Sequence, residues 1–501
     1  MTQIKSEATT FRLLETTVDE IQRAYKGGEL SARELVQLYI NRIQAYDSQG
    51  PTINSIITIH PEAMEQADKL DTALKTSGPV GPLHGVPVIL KDQIDAKGTP
   101  TTLGSVLLKD YFPDRDAFIV EKLKKAGAII LAKATLGELG GGDTHGTLFG
   151  STSNPYALDR TAGGSSGGPG ASVSANFGAI AVGQEGVASI RRPSCWNGIA
   201  GMRPTAGLVS RSGVWMGWPG IAGSLGPMAR TVGDLAILLD ALAGYDPEDP
   251  ITALGVGQVP ASYTSFLDRS GLKGARIGVL REPMGLGSEP ESEDFKKVSR
   301  VFDEAVDELK KAGATLVDPV EIPGLNDLLA KRSSGDRGGF DQAWEVYFAR
   351  SAKRPFKSFE ELLATPGYSP KGVIRGATPP TSYEHLLARE ELMLNLLKLM
   401  ADHQLDAIAH NTVEHQPILI SEGVNPPYTN TKGAPHLNTF LVYVPSVTVP
   451  AGFTSDKLPA GITFLGRPYS DGTVIKLAYA YEQATMHRRP PNTTPALPGE
   501  P

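Results

Sequence analysis

Gly163-Gly164-Ser165-Ser166-Gly167-Gly168 and, further on, Gly183-Gln184-Glu185-Gly186-Val187-Ala188-Ser189-Ile190-Arg191-Arg192-Pro193 are the segments on which the reading of this chain turns. Glycines allow close backbone approach, and the hydroxyls of the first segment supply donors and acceptors. A phosphate-binding loop would need a lysine followed by Ser or Thr, and none follows Gly168. Gly163-x-Ser165-x-Gly167 also fits the nucleophile-elbow pattern, but an elbow follows directly on a buried apolar strand. Here Asn154-Pro155-Tyr156-Ala157-Leu158-Asp159-Arg160 precedes it, a turn-like run. The second serine lies 189 − 165 = 24 residues downstream. A small-residue helix over 170–177 and a strand over 179–182 fill the interval and place Ser189 just past a strand end.

Outward from this centre, helical and extended patterns alternate. Ser31 and Glu34 form a capping box ahead of Leu35, Leu38, Tyr39 and Ile43, which predicts a helix over 31–46. A helix over 61–74, a strand over 86–90, a helix over 117–126 and a strand over 128–132 follow. The stretch 147–170 reads as loop. Beyond the serines come a helix over 231–242, a strand over 276–280, a charged helix over 291–312 closed by Gly313, and a strand over 315–322. A helix over 383–402, strands over 407–409 and 446–449, and a helix over 473–486 complete the pattern. This order predicts an α/β sheet. Residues 331–382 are rich in Gly, Pro, Ser and basic side chains, so they are expected to form an insertion or lid. The Pro-rich tail 490–501 is expected to fray.

Composition narrows the function classes. Of 501 residues, 40% are hydrophobic and 21% charged, which fits a globular protein with a large core. Lys plus Arg (48) against Asp plus Glu (55) leaves a net charge of −7, so no global positive field recruits nucleic acid or anionic membrane. A small neutral or weakly polar ligand is the expected partner. Cys195 is the single cysteine, and neither a CxxC nor a Cys/His cluster offers metal-ligand spacing. A site with neither metal nor cofactor is expected, and a cytoplasmic location too, since the first twelve residues hold no apolar core and no run of about 18 apolar residues occurs.

The segment 163–205 resembles the amidase signature family, in its Gly/Ser-rich stretch, its small-residue helix, its second serine and its closing Gly198-Ile199-Ala200-Gly201-Met202-Arg203-Pro204-Thr205. Gly226-Pro227-Met228-Ala229-Arg230-Thr231-Val232 and Leu83-His84-Gly85-Val86-Pro87-Val88-Ile89-Leu90-Lys91-Asp92 are similar to further family segments. The resemblance implies a single amidase domain over 1–501 with its signature core at about 80–240. The implied fold is a large mixed central β-sheet covered by α-helices on both faces. It also implies roles: Ser189 as nucleophile, Ser165 as bridging serine after a cis Gly164-Ser165 bond, and Lys91 as terminal base. The backbone N–H groups of Gly186, Val187, Ala188 and Ser189 would form the oxyanion hole. Chemistry sets a condition on this scheme. A serine hydroxyl needs a base within hydrogen-bond reach, and a lysine serves only when neutral. Lys91 is therefore expected to be buried against Ser165 Oγ, with Asp92 pointing elsewhere. Arg191 and Gly164 are read as structural support.

Departures from the family pattern bear on substrate. Val187 and Ala188 replace two glycines, Glu185 an aspartate, Gly137 a small hydroxyl residue, and Gly223 an acidic one. Trp196, Trp215, Met216 and Trp218 suggest an apolar, aryl-accepting cleft. Gly140, Gly141, Gly142, Trp215 and Trp218 are the candidate substrate contacts. Cys195 is read as an inert buried thiol. The expected activity is cleavage of carboxamides, anilides, carbamates (urethanes) or esters by a monomer or homodimer. Three alternatives stay open: the glutaminase subunit of a tRNA-dependent amidotransferase, a catalytically silent amidase-like binding or sensor protein, and an α/β-hydrolase using His410 or His436.

Overall fold

Val88-Ile89-Leu90 and Ile180-Ala181-Val182 are continuous apolar runs, the pattern of strands covered on both faces. In the computed structural model they lie side by side as parallel strands, every residue buried. The structure describes residues 11–216, 223–331, 338–371, 382–424, 432–435, 437, 441 and 443–501. Eleven strands form one sheet. They are β1 (Ile56–Ile59), β2 (Pro87–Lys91), β3 (Ile129–Ala134), β4 (Ile180–Glu185), β5 (Ala200–Arg203) and β6 (Ser224–Ala229). The remainder are β7 (Arg276–Leu280), β8 (Thr315–Val320), β9 (Ala407–Asn411), β10 (Ser446–Phe453) and β11 (Pro459–Leu465). Their order is β1-β3-β2-β4-β6-β5-β10-β11-β9-β7-β8. Pairing is parallel for β3-β2-β4 and β9-β7-β8 and antiparallel elsewhere, so the sheet is mixed.

Helices cover both faces. A Cβ at Gly461 would meet Cys195 Sγ at 3.2 Å, which puts the helix Arg191–Trp196 on that side of β11. Phe464 touches Tyr481 of the helix Asp471–Thr485, and its odd spacing from Gly461 puts that helix on the opposite side. The predicted elements reappear with shifted ends. The helix read over 31–46 is Ala32–Arg42 with a π turn at Ile43–Ser48. Strands β1, β5, β6 and β11 and the helix Val18–Gly27 were not foreseen, and the stretch read as loop holds short strands in two antiparallel ladders within 145–161. Pro227 lies within β6, paired with Val182, where a proline argues against a central strand.

Two regions differ from expectation. Within the stretch expected as an insertion or lid, residues 338–371 are folded and docked, with helices Gly338–Phe348 and Phe359–Leu363. Trp344, Tyr347, Phe348 and Phe359 pack with Leu103, Tyr111, Leu139 and Trp215 in one buried cluster. The tail does not fray. The fully buried Arg42 donates to the carbonyls of Thr494 and Pro495 at 2.8 and 3.0 Å and to Glu500 at 2.8 Å. Proline content lowered its expected order, but these long-range bonds pin it. No helix among the described residues is long and apolar enough to cross a membrane.

Candidate active site

Lys91 ends β2 and is fully buried. Its Nζ stands 2.8 Å from Ser165 Oγ and donates more weakly to Gln184, at 3.3 Å to the carbonyl and 3.4 Å to Oε1. Burial pushes the Lys91 amine well below its ordinary pKa, and the charge of Glu185 offsets only part of that. The neighbouring carboxylate does point elsewhere. Asp92 accepts from the Thr102 N–H and hydroxyl at 2.8 and 2.7 Å and faces Lys133 at 3.5 Å.

Ser165 follows a cis peptide bond from Gly164 and is buried. The surrounding peptide is gripped from several directions. Arg192 donates to the Gly164 carbonyl from Nε at 3.2 Å and Nη2 at 2.9 Å, and pairs with Asp143 at 2.6 Å. The Gly137 N–H donates to the Ser165 carbonyl at 2.9 Å. The Ser166 N–H donates to the Ser189 carbonyl at 3.1 Å, which brings the turn of the second serine onto the first.

Ser189 is half-buried in the turn between β4 and the helix Arg191–Trp196. Glu185 fixes that turn. Its carboxylate accepts from the Ile190 and Arg191 N–H groups and from Arg191 Nε, all at 2.9 Å. Arg191 Nη2 donates in turn to the Val187 carbonyl at 2.9 Å. Among the described residues, the N–H groups of Gly186, Val187, Ala188 and Ser189 find no acceptor within the chain. A turn that holds its donors unspent beside a half-buried serine can receive negative charge that develops there.

Trp215 is fully buried, stacked on Phe359 and donating from Nε1 to the Leu139 carbonyl at 2.9 Å. It backs the Gly140–142 loop from the side of residues 338–371: a Cβ at Gly140 would meet its ring at 3.9 Å. Trp196 donates to the His415 carbonyl at 2.9 Å and is also buried. Trp218 and His436 lie outside the described residues. His410 Nδ1 sits 2.8 Å from the Asn411 carbonyl, and burial with the charge of Arg191 pushes its pKa down to about 3. Burial raises the Cys195 thiol to about 12. Sequence reasoning passed over Gln184, Arg192, Asp143 and the backbone link from Gly137. Arg192 was visible as the second of two adjacent arginines, but nothing local assigned its partner.

The Amidase family model matches residues 34–475. This chain belongs to the amidase family. Among solved structures, the amidase resembles the peptide amidase of Stenotrophomonas maltophilia, with TM-score 0.81 and 32% identity over 96% of this chain and 99% of that one. A bacterial aryl acylamidase of the amidase signature enzymes is similar at TM-score 0.72 and 26% identity, covering 94% of this chain and 96% of that one. A glutamyl-tRNA(Gln) amidotransferase subunit of Thermosynechococcus vestitus is 32% identical over 95% of this amidase and 99% of its own length.

Proposed function

We propose that this amidase hydrolyses carboxamides, including anilides, through an acyl-enzyme on Ser189, and that it admits carbamates and esters by the same step. The observation that carries the reading is the buried Lys91 amine, held 2.8 Å from Ser165 Oγ and favoured in its neutral form. A neutral amine there takes the Ser165 proton while Ser165 Oγ takes that of Ser189. Ser189 Oγ then bonds to the substrate carbonyl carbon, and the N–H groups of Gly186, Val187, Ala188 and Ser189 receive the oxyanion. Collapse breaks the C–N bond, and the proton returns from Lys91 through Ser165 to the leaving amine. Water, deprotonated along the same path, attacks the acyl-enzyme, releases the acid and restores Ser189. Val187 and Ala188 keep their N–H donors while adding side chains to the turn, which reshapes the pocket around the carbonyl. Gly140, Gly141 and Gly142 form one rim of the acyl cleft in this reading, with Trp215 as the wall behind them.

A second reading, motivated by the 32% identity to an amidotransferase component, is a glutaminase that passes ammonia to a partner chain. The discriminating experiment maps covalent labelling by an activated phosphonate on wild type, Ser165→Ala and Ser189→Ala, alongside turnover of amides, esters, carbamates and glutamine. Labelling confined to Ser189, with amide turnover by the isolated chain lost in both variants, is expected. Glutamine turnover appearing only with added partner proteins would favour the second reading. Labelling at Ser165 would point to an elbow nucleophile, and neither labelling nor turnover would point to a silent binding protein.

A further inference from the structure

Glu138 is fully buried, yet its carboxylate is not part of the serine and lysine chemistry. Its bonds divide evenly between two parts of the chain. From the core, Thr147 donates its hydroxyl to Oε1 at 2.5 Å and its N–H to Oε2 at 3.1 Å. From the insertion, the Tyr368 hydroxyl donates to Oε1 at 2.8 Å and the Lys371 N–H to Oε2 at 2.7 Å. Ser105 Oγ donates to the same Tyr368 hydroxyl at 2.8 Å, while the ring packs against the aromatic cluster. A carboxylate with four such donors is a rigid junction, because charge-assisted bonds are short and directional.

The residue before this junction touches Ser165. The Gly137 N–H donates to the Ser165 carbonyl at 2.9 Å, and residues 137–143 fold so tightly that a Cβ on Gly137 would run into the Gly141 carbonyl oxygen. The far end of the loop lies against the preceding residue, since a Cβ on Gly164 would run into the Gly142 carbonyl oxygen. We infer that Glu138 is a positioning residue through which the insertion holds the loop 137–143, and with it Ser165, in place. The insertion thereby becomes a determinant of acylation geometry. This inference rests on the acyl-enzyme reading for its kinetic consequence but not for its structural one.

The test compares Tyr368→Phe and Glu138→Gln with Tyr347→Phe. Tyr347 anchors the insertion elsewhere, donating to Asp95 at 2.6 Å, without touching Glu138. Tyr368→Phe retains the ring and removes one bond to the carboxylate, so it remains informative if Glu138→Gln does not fold. Hydrogen–deuterium exchange mapped by mass spectrometry is expected to rise at 137–147 as well as at 365–371 in Tyr368→Phe. The rate constant for phosphonate labelling of Ser189 is expected to fall about tenfold, the scale of one lost charge-assisted bond. Tyr347→Phe is expected to raise exchange in the insertion alone and to label at the wild-type rate. Increased exchange confined to 365–371 in Tyr368→Phe would overturn the inference, as would equal slowing of labelling in Tyr347→Phe. If even wild type does not label, the acyl-enzyme reading fails by itself, and the exchange pattern alone decides the role of Glu138.

Discussion

Replacing Lys91 with methionine separates catalysis from folding more cleanly than any other single change in this site. The side chain is fully buried, and among the described residues its amine bonds only to Ser165 Oγ at 2.8 Å and Gln184 at 3.3 and 3.4 Å. Methionine matches its length and fills the space without a polar head. The folded protein presently holds an amine whose charged form burial disfavours, whereas the unfolded chain carries it protonated at neutral pH. That mismatch costs stability at every pH below the ordinary lysine value, and Lys91→Met removes it. Against the gain stands the loss of one strong hydrogen bond, about 1 kcal/mol. The variant is therefore expected to melt at or above the wild-type temperature. Its kcat is expected to fall by about 10²–10⁴, the range that a positioned base contributes, or about 3–5 kcal/mol of barrier. The sign of the pH dependence follows from the same amine. Wild-type kcat/KM should decline as pH falls through the depressed Lys91 pKa, because the protonated amine cannot accept from Ser165, and residual activity of Lys91→Met should lack that limb. Scanning calorimetry and stopped-flow kinetics on one preparation read both quantities. A variant that keeps kcat within tenfold of wild type would refute the role of Lys91 as base.

Two further outcomes test the surrounding fold. Arg42 spends all its N–H donors, on the carbonyls of Ala175, Asn176, Thr494 and Pro495 and on Glu500. Arg42→Met is expected to cost about 3–5 kcal/mol by stranding the nearly buried Glu500 carboxylate, and limited proteolysis should then clip 490–501 first. Asp234 accepts from the Val18 N–H at 2.9 Å, and burial raises its carboxyl from 3.8 to about 7. A raised carboxyl contributes stability below its unfolded pKa and loses it as pH rises through the folded one. Asp234→Asn keeps an acceptor for Val18, so urea melts should show a flatter stability slope between about pH 4 and 7.

The residues of the proposed site were legible as candidates because they lie in short, distinctive segments. Lys91 sits at the end of an apolar run, and burial of its amine was expected from the base role that the resemblance implies, since a lysine serves as base only when neutral. Ser165 and Ser189 stood out by glycine content and interval, but their roles were read only from the resemblance to the amidase signature family; the bond from the Ser166 N–H to the Ser189 carbonyl at 3.1 Å joins their two turns. Strand β6 was missed for the opposite reason: Gly226-Pro227 looks like a turn, and only its neighbours β4 and β5 make it a strand. The tail was misread because composition registers prolines, while the guanidinium that pins them lies more than 450 residues away.

The same distinction separates the reacting groups from the groups that hold them. A nucleophile and its base must be of particular residue types, so each carries a local signature. A positioning residue needs only a complementary partner, and here partners come from anywhere in the chain: Asp143 meets Arg192, and Glu138 meets Tyr368 across 230 residues. Gly137 illustrates how such a contact is recorded indirectly. In the sequence it reads as a missing hydroxyl in the family pattern, whereas in the fold it is the one residue type that lets residues 137–143 close on themselves and reach the Ser165 carbonyl. A loss at one position thus marks a gain in the fit of the loop around it, and both Gly137 and the buried Glu138 beside it are explained by that fit.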